Sequence, residues 1–191
     1  MEFRELLEIR RSIRKFQNKE VPVELVKEMI GDSIKAPNAG NNQPWKFIVI
    51  SDKKLIKQMS DVSKATILAD IKKNPNSSLK IYEKPLQNPD FNVFYDAPCL
   101  VCIVGKTGVP TIAVDCALAG SYLMLSAASR GLGTCWVELG KEIRDPRLLK
   151  KIGMPEGHGI YAPIIVGYPE KILPMPERKK PEIIECVKSS T

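Results

Sequence analysis

The chain has 191 residues, of which 43% are apolar and 27% are charged, and its formal net charge is +7. This length and composition are typical of one globular domain with a single core. No run approaches the roughly 20 apolar residues that a membrane span needs. The charged start MEFRELLEIRR also lacks the apolar stretch of a secretory signal. We therefore expect a cytoplasmic protein.

Apolar spacing and the positions of the prolines predict helices that alternate with strands. In chain order, the predicted elements are a helix at 2–10, an extended segment at 10–16, a helix from 22 to 36, a strand at 45–50, a helix at 52–73, an irregular excursion at 74–92, a strand at 98–104, a helix from 110 to about 130, a strand at 134–139, a helix at 144–153 and a strand at 160–169. No repeat and no interdomain linker is visible. Residues 1–191 are therefore predicted to form a single domain that combines helices and strands.

The cysteines and the histidine argue against metal and triad chemistry. The five cysteines are odd in number and irregularly spaced, which is typical of a reducing compartment. Cys99 and Cys102 form a CxxC within a predicted buried strand, where side chains three apart point to opposite faces. His158 is the only histidine, so a histidine-based zinc site or a Ser-His-Asp triad would depend wholly on it. We predict no metal site.

The net positive charge raises the question of a nucleic-acid partner. The lysines are spread along 53–84, 141–151 and 171–188, usually with Glu or Asp nearby. No nucleic-acid-binding motif occurs, and aromatic residues make up only 6% of the chain. We predict no nucleic-acid partner, because a mildly basic surface also attracts phosphorylated small molecules. A basic interaction module without a cofactor is the alternative.

The stretch RRSIRKF at 10–16 crowds four cations around one serine. Like charges so close together repel one another unless an anion lies among them or water screens them. A solvated basic edge is the simple explanation, and a bound anion is the functional one.

The stretch APNAGNNQPWKF at 36–47 gathers four side-chain amides between a predicted helix and a predicted strand: Asn38, Asn41, Asn42 and Gln43. Asn and Gly are common in turns because they tolerate unusual backbone angles. Four amides also offer donors and acceptors together. That combination suits the rim of a site for a heterocycle with imide-like edges.

Taken in order, these motifs resemble those of the FMN-dependent nitroreductase family over residues 3–187. The resemblance is carried by RRSIRKF, APNAGNNQPWKF, a long helix of small residues ending in RGLGTCWV, then GYP and a basic RKKP. It implies an α+β fold, a three-layer α/β/α sandwich with a mostly antiparallel central sheet. It also implies a homodimer with FMN at the subunit interface and a variable substrate lid at about 65–95.

The resemblance further assigns the cofactor-binding residues. They are Arg10, Arg11, Ser12 and Arg14 in the extended segment, Pro37, Asn38, Ala39, Asn41 and Gln43 in a loop that reaches the partner's flavin, Trp136, Val137, Glu138 and Leu139 in a strand along the flavin face, and Arg178 and Lys180 at the phosphate. Many relatives have glycine where this chain has Glu138 or Leu139, so Glu138 is a departure from the family pattern. The chain beyond Val187 is also shorter than the C-terminal arm of many relatives.

An extended segment puts Arg10, Ser12 and Arg14 on one side over about 13 Å. With FMN as the ligand, we expect Arg10 at the phosphate, Ser12 along the chain and Arg14 near the N1–C2 carbonyl edge of the ring. A cation at that edge favours the reduced, anionic flavin.

The expected activity is reduction of nitroaromatics, quinones or similar conjugated acceptors by NADH or NADPH in a ping-pong exchange through FMN. We nominate no catalytic residue, because water can supply the proton.

The helix from about 111 to 130 mixes small residues with leucines, which is typical either of a central core helix or of an obligate interface. The resemblance favours the homodimer. The alternatives are a non-enzymatic flavin-binding or sensor protein, or another branch of the superfamily such as reductive dehalogenases or flavin-cleaving enzymes.

Overall fold

The computed structural model describes residues 2–187, and in them a four-stranded antiparallel sheet forms the centre of the fold. Its strands, in chain order, are β1 (Trp45–Ile50), β2 (Cys99–Lys106), β3 (Gly133–Trp136) and β4 (His158–Gly167). Their spatial order is β1-β2-β4-β3. Every residue of β2 except Lys106 is buried, since this central strand is covered on both faces. The mostly antiparallel sheet is the one expected from the family resemblance.

Helices cover both faces of the sheet, which gives the three layers. The α-helices of the described residues are α1 (Phe3–Ile9), α2 (Val23–Ser33), α3 (Lys53–Lys73), α4 (Glu83–Gln87), α5 (Ile112–Ser129) and α6 (Pro146–Lys151). One apolar core joins α2 and α5 to the sheet, and the other joins α3, α4 and α6 to its opposite face. Cys99 belongs to the first core and Cys102 to the second, as strand alternation predicts.

Helix α5 is apolar nearly all round, although only one side of it packs into the sandwich. With 18 residues and a mean hydropathy of 1.4, it has the length and composition of a membrane span, in contrast to the expectation from the sequence that no run is long and apolar enough. Half of it is buried in the fold. The helix packs on α2 and on the sheet through residues such as Cys116, Ala119 and Leu123. Its other side exposes Val114 and Tyr122.

Two predicted elements beside the cavity described below differ from those observed. The excursion predicted at 74–92 contains a 3-10 helix at Ser78–Tyr82 and the short helix α4. The strand predicted at 134–139 ends at Trp136, and a 3-10 turn follows at Glu138–Lys141. The Ser63 hydroxyl donates a 2.6 Å hydrogen bond to the Leu139 carbonyl, which draws that carbonyl toward α3. Glu138 and Leu139 therefore lie in a turn and not in a strand.

Candidate functional site

The basic segment, residues 10–16, lies extended along the edge of the sheet. The Ile13 amide donates to the Thr134 carbonyl at 2.9 Å, and Ser12 forms a parallel bridge with Thr134. The Ile13 side chain is buried against Gly133, where even a Cβ atom would lie 2.7 Å from Ile13 Cγ1. This close packing fixes both the distance of the segment from β3 and its register along the strand.

The register leaves the alternate side chains on the open side of the segment. Ser12 and Arg14 are exposed, and Arg10 is half-buried. Burial raises the pKa of the Cys135 thiol, whereas Arg14, Ser12 and Arg10 each act to lower that pKa. All three side chains are therefore near the same β3 residue. The shared face of Arg10, Ser12 and Arg14 stays a prediction, since Arg14 lines the larger cavity described below and Arg10 lies with Arg11 beside a different, smaller one.

Arg11 has a different environment from the other cations of the segment. Its guanidinium donates to the carbonyls of Glu8 and Arg10, so it caps the last turn of α1. Its Nε is buried and has no hydrogen-bond partner. The structure thus assigns Arg11 a backbone-capping contact, and its assignment as a cofactor-binding residue stays a prediction.

A cavity of about 460 Å³ opens where the basic segment meets the end of β3. This volume lies within the range typical of small-molecule sites. The walls come from Arg14, from the 3-10 helix at Ser78–Tyr82, from Tyr95 and from the stretch Cys135–Leu139. The predicted residues Arg14 and 136–139 therefore do come together around one space.

Tyr95 is a cavity residue that the sequence did not single out. The Arg14 guanidinium lies 5.6 Å from the centre of the Tyr95 ring, a cation–π contact. Tyr95 and Asp96 both have a positive φ, 53° and 52°, which is uncommon for residues other than glycine. The Asn92 amide donates to the Asp96 carboxylate at 2.7 Å and holds this turn. The FYDAP motif offered no recognisable signal of this backbone.

A buried lysine anchors the segment 74–96 that brings Tyr82 and Tyr95 to the cavity. Lys64 of α3 is only 8% exposed, and its ammonium donates to the carbonyls of Asn88 and Phe91 at 2.6 and 2.9 Å. An ammonium can satisfy carbonyls that no helix or strand would otherwise bond. Lys64 thus fixes the return of the segment to the core. In the sequence it reads as one more surface lysine.

Trp136 and Glu138 lie between this cavity and a second one of about 530 Å³. The Trp136 indole donates to the Glu138 carboxylate at 2.9 Å, and Lys141 pairs with the other carboxylate oxygen. The exposed Glu138 is therefore held on its own turn by two neighbours.

The amide loop, residues 37–43, is a short turn between α2 and β1. The Gln43 amide donates to Asn38 Oδ1 at 2.8 Å, which closes the loop on itself. Gly40, Asn41 and Gln43 all have a positive φ, so the turn needs Gly and Asn for its backbone as well as for any ligand. The side-chain carbonyl of Asn38 is occupied by this bond within the loop, while the side chains of Asn41 and Gln43 are exposed. Pro37 is exposed, and Ala39 is half-buried.

The two cations predicted to bind the FMN phosphate, Arg178 and Lys180, do not line any cavity described above. Arg178 and Lys180 belong to an irregular stretch, 170–187, whose described residues are all exposed. Neither side chain makes a hydrogen bond or ion pair within residues 2–187. Their assignment stays a prediction.

The comparisons with known proteins agree with this fold. The sequence model of the Nitroreductase family matches residues 7–168, so the chain belongs to the nitroreductase family. A protein of Archaeoglobus fulgidus, provisionally named an NADH dehydrogenase/NAD(P)H nitroreductase, is 26% identical over 84% of this chain and 82% of its own. An iodotyrosine deiodinase of Thermotoga neapolitana is 24% identical over 94% of each chain. The crystal structure of a Bacteroides fragilis nitroreductase with bound FMN superimposes with a TM-score of 0.83 at 24% identity, over 98% of this chain and 100% of the other.

Proposed function

We propose that the protein is an FMN-dependent oxidoreductase that uses NADH or NADPH to reduce conjugated acceptors such as nitroaromatics and quinones. One observation carries the proposal: the extended segment that holds Arg10, Ser12 and Arg14 is fixed on β3, and its residue Arg14 lines a 460 Å³ cavity. Neither Arg10 nor Arg14 pairs with a carboxylate within residues 2–187, in contrast to Arg130 and Arg144. Unpaired guanidinium groups beside a cavity are suited to an anionic ligand.

These residues fit FMN in charge and in reach. Arg10 would hold the phosphate through a charge-assisted hydrogen bond, and Ser12 would donate or accept along the ribityl chain. Arg14 would lie at the polar edge of the ring, with Trp136 and Val137 along one face. FMN, when bound, would supply two-electron chemistry between the nicotinamide and the acceptor, and successive use of one cavity by both would give ping-pong kinetics. The cavity walls would orient both substrates in turn and exclude water, and solvent would supply the proton.

We propose further that the site is shared between two copies of the chain. Phe3, Leu7, Val114 and Tyr122 expose large apolar side chains on α1 and α5, between 40% and 64% exposed. Apolar area of this kind is what an obligate interface buries. The exposed amides of Asn41 and Gln43 would then meet the flavin edge of the partner subunit.

The first experiment is to purify the full chain and identify any yellow cofactor by its spectrum and mass. We expect FMN, bleached anaerobically by NADH or NADPH and restored by a quinone such as menadione. Colourless protein that does not bind added FMN would overturn the proposal and favour a basic interaction module. Yellow protein that neither nicotinamide reduces would favour a flavin-binding or sensor protein.

The shared site is tested with mixed dimers. One chain carries Arg10→Ala and Ser12→Ala, and the other carries Asn38→Ala and Asn41→Ala. Each homodimer should bind FMN weakly, whereas one of the two sites in the heterodimer has both intact halves and should bind normally. A stable monomer that binds one FMN per chain would contradict a shared site.

Reductive dehalogenation is a second candidate, favoured by the iodotyrosine deiodinase match over 94% of both chains. The aromatic side chains of Tyr82 and Tyr95 in the cavity wall suit an aromatic substrate in either case. The two candidates differ in the acceptor. Iodide release from iodotyrosine by the reduced protein, without turnover of nitroaromatics or quinones, would select the second.

A further inference from the structure

The amide loop is held at a second point by a side chain of α5. The Ala39 amide donates to Asp115 Oδ1 at 3.0 Å, across 76 positions of sequence. This bond complements the internal one between the Gln43 amide and Asn38. The first bond sets where the loop lies on the molecule, and the second sets its shape. Together they leave the amides of Asn41 and Gln43 facing outward.

Asp115 is an unusual residue for a purely structural contact. It is 2% exposed, and its second oxygen, Oδ2, is buried without a hydrogen-bond partner. Burying a polar atom in this way costs free energy, and a neutral acceptor would bond a single amide at lower cost. Asp115 also affects the neighbouring thiol. The pKa of Cys116 is raised to about 12, first by burial and then by the electrostatic effect of Asp115. The position therefore holds an acidic side chain where stability alone would not require one.

The helix that carries Asp115 also carries the exposed apolar face described above. Asp115 is on the buried side of α5 with Cys116 and Ala119, whereas Val114 and Tyr122 are on the exposed side. A loop bonded to this helix keeps a constant position relative to any copy of the chain that packs on its exposed side. A charge-assisted hydrogen bond to a rigid helix is a strong way to hold that position.

We propose that Asp115 is a positioning residue whose carboxylate fixes the amide loop of its own chain at the FMN site of the partner subunit. This inference rests on the proposed shared site. It predicts that a substitution in one chain weakens FMN binding at the site built on the other chain.

The loop contact is tested first without any cofactor, by hydrogen exchange of the apo-protein. In Asp115→Ala the Ala39 amide should lose its protection, by about tenfold in exchange rate, since one charge-assisted bond is lost. Asp115→Asn keeps an acceptor oxygen in the same place and should retain most of the protection. Ser33→Ala is the matched control, because it removes another buried bond to α5, from Ser33 Oγ to the Ala119 carbonyl at 2.7 Å, away from the loop. Unchanged protection in Asp115→Ala would overturn the proposal.

The effect on the partner's site is tested with mixed dimers. An Asp115→Ala chain is paired with a chain that carries Arg10→Ala and Ser12→Ala. If Asp115 acts across the interface, the heterodimer keeps one site of wild-type affinity, made of the intact basic segment of the first chain and the intact loop of the second. If both sites are weakened by about tenfold or more, Asp115 acts within its own subunit and the proposal is wrong. Failure of the wild type to bind FMN would instead overturn the proposed function and, with it, the role of Asp115 at the flavin, whatever the exchange experiment shows.

Discussion

Two stretches of this chain carry the same kind of charge in different settings: the basic segment, 10–16, and the tail residues 178–180. The first is bonded to β3 and sealed by the buried side chain of Ile13, so the spacing of its cations is fixed. The second is exposed throughout and makes no side-chain hydrogen bond within residues 2–187. A cation that is already in place loses little conformational entropy on binding an anion. Anion affinity should therefore depend mainly on the first stretch.

The largest effect is expected from Arg10→Ala, compared with Arg11→Ala. Losing a charged hydrogen bond to the phosphate should weaken FMN binding by about tenfold to a hundredfold. Arg11→Ala should weaken it less, because the Arg11 guanidinium is engaged with the Glu8 and Arg10 carbonyls. Titration with FMN, followed by quenching of its fluorescence, measures both. Equal losses would show that the alternation of faces does not control binding.

The second largest effect is expected from displacing the basic segment from β3. In Gly133→Ala, the new Cβ would lie 2.7 to 3.0 Å from three atoms of Ile13, so we expect a loss of about 1–3 kcal/mol in the free energy of unfolding and weaker FMN binding. Adding Ile13→Ala removes two of those three atoms, so the double variant should lose less than the sum of the single losses. Gly159→Ala is the control, since its nearest neighbour would be Thr107 Cγ2 at 3.5 Å. Chemical denaturation curves measure the stability, and additive losses would argue against the contact.

Arg14→Gln probes the ring end of the same segment. Removing this cation should lower the flavin reduction potential by about 30 mV, equivalent to about 1.4 kcal/mol for a two-electron couple, and slow reduction by NAD(P)H. FMN affinity should fall only modestly. The neighbouring, exposed Lys15 provides the control variant Lys15→Gln. A potential that matches the wild type in a spectroelectrochemical titration would mean that Arg14 is away from the ring.

The smallest effect is expected from the tail. Exposed charges held in no fixed geometry contribute little, so Arg178→Ala and Lys180→Ala should each weaken FMN binding by about threefold or less. Lys179→Ala, the residue between them, should have no effect. A loss as large as that of Arg10→Ala would mean that the dimer orders the tail at the phosphate, and the contrast between the two stretches would then disappear.

The sequence predicted those parts of the molecule that depend on local pattern. The helix at 52–73 and the strand at 45–50 follow from apolar spacing and capping, as shown by Asp52, whose carboxylate accepts from the Lys54 and Leu55 amides at the start of α3. The extended conformation of the basic segment was predicted from the motif RRSIRKF. The contacts that shape the site join residues far apart in sequence: Ser63 to Leu139, Lys64 to Phe91, and Ala39 to Asp115. No local pattern specifies such pairs, so the end of β3, the cavity wall at Tyr95 and the support of the amide loop were not predicted.

The buried thiols have a consequence for the chemical durability of the protein. Quinones and partly reduced nitro compounds are electrophiles, and cysteine attacks them in its nucleophilic thiolate form. Burial raises the pKa of Cys99 to about 11 and that of Cys102 to about 12, so both stay protonated and inert at neutral pH. Cys135 lines the cavity itself, yet it is 2% exposed and burial raises its pKa too. An enzyme of this kind would thus handle electrophiles beside a sulfur atom that they do not alkylate, leaving the exposed Cys186 as the first site of damage.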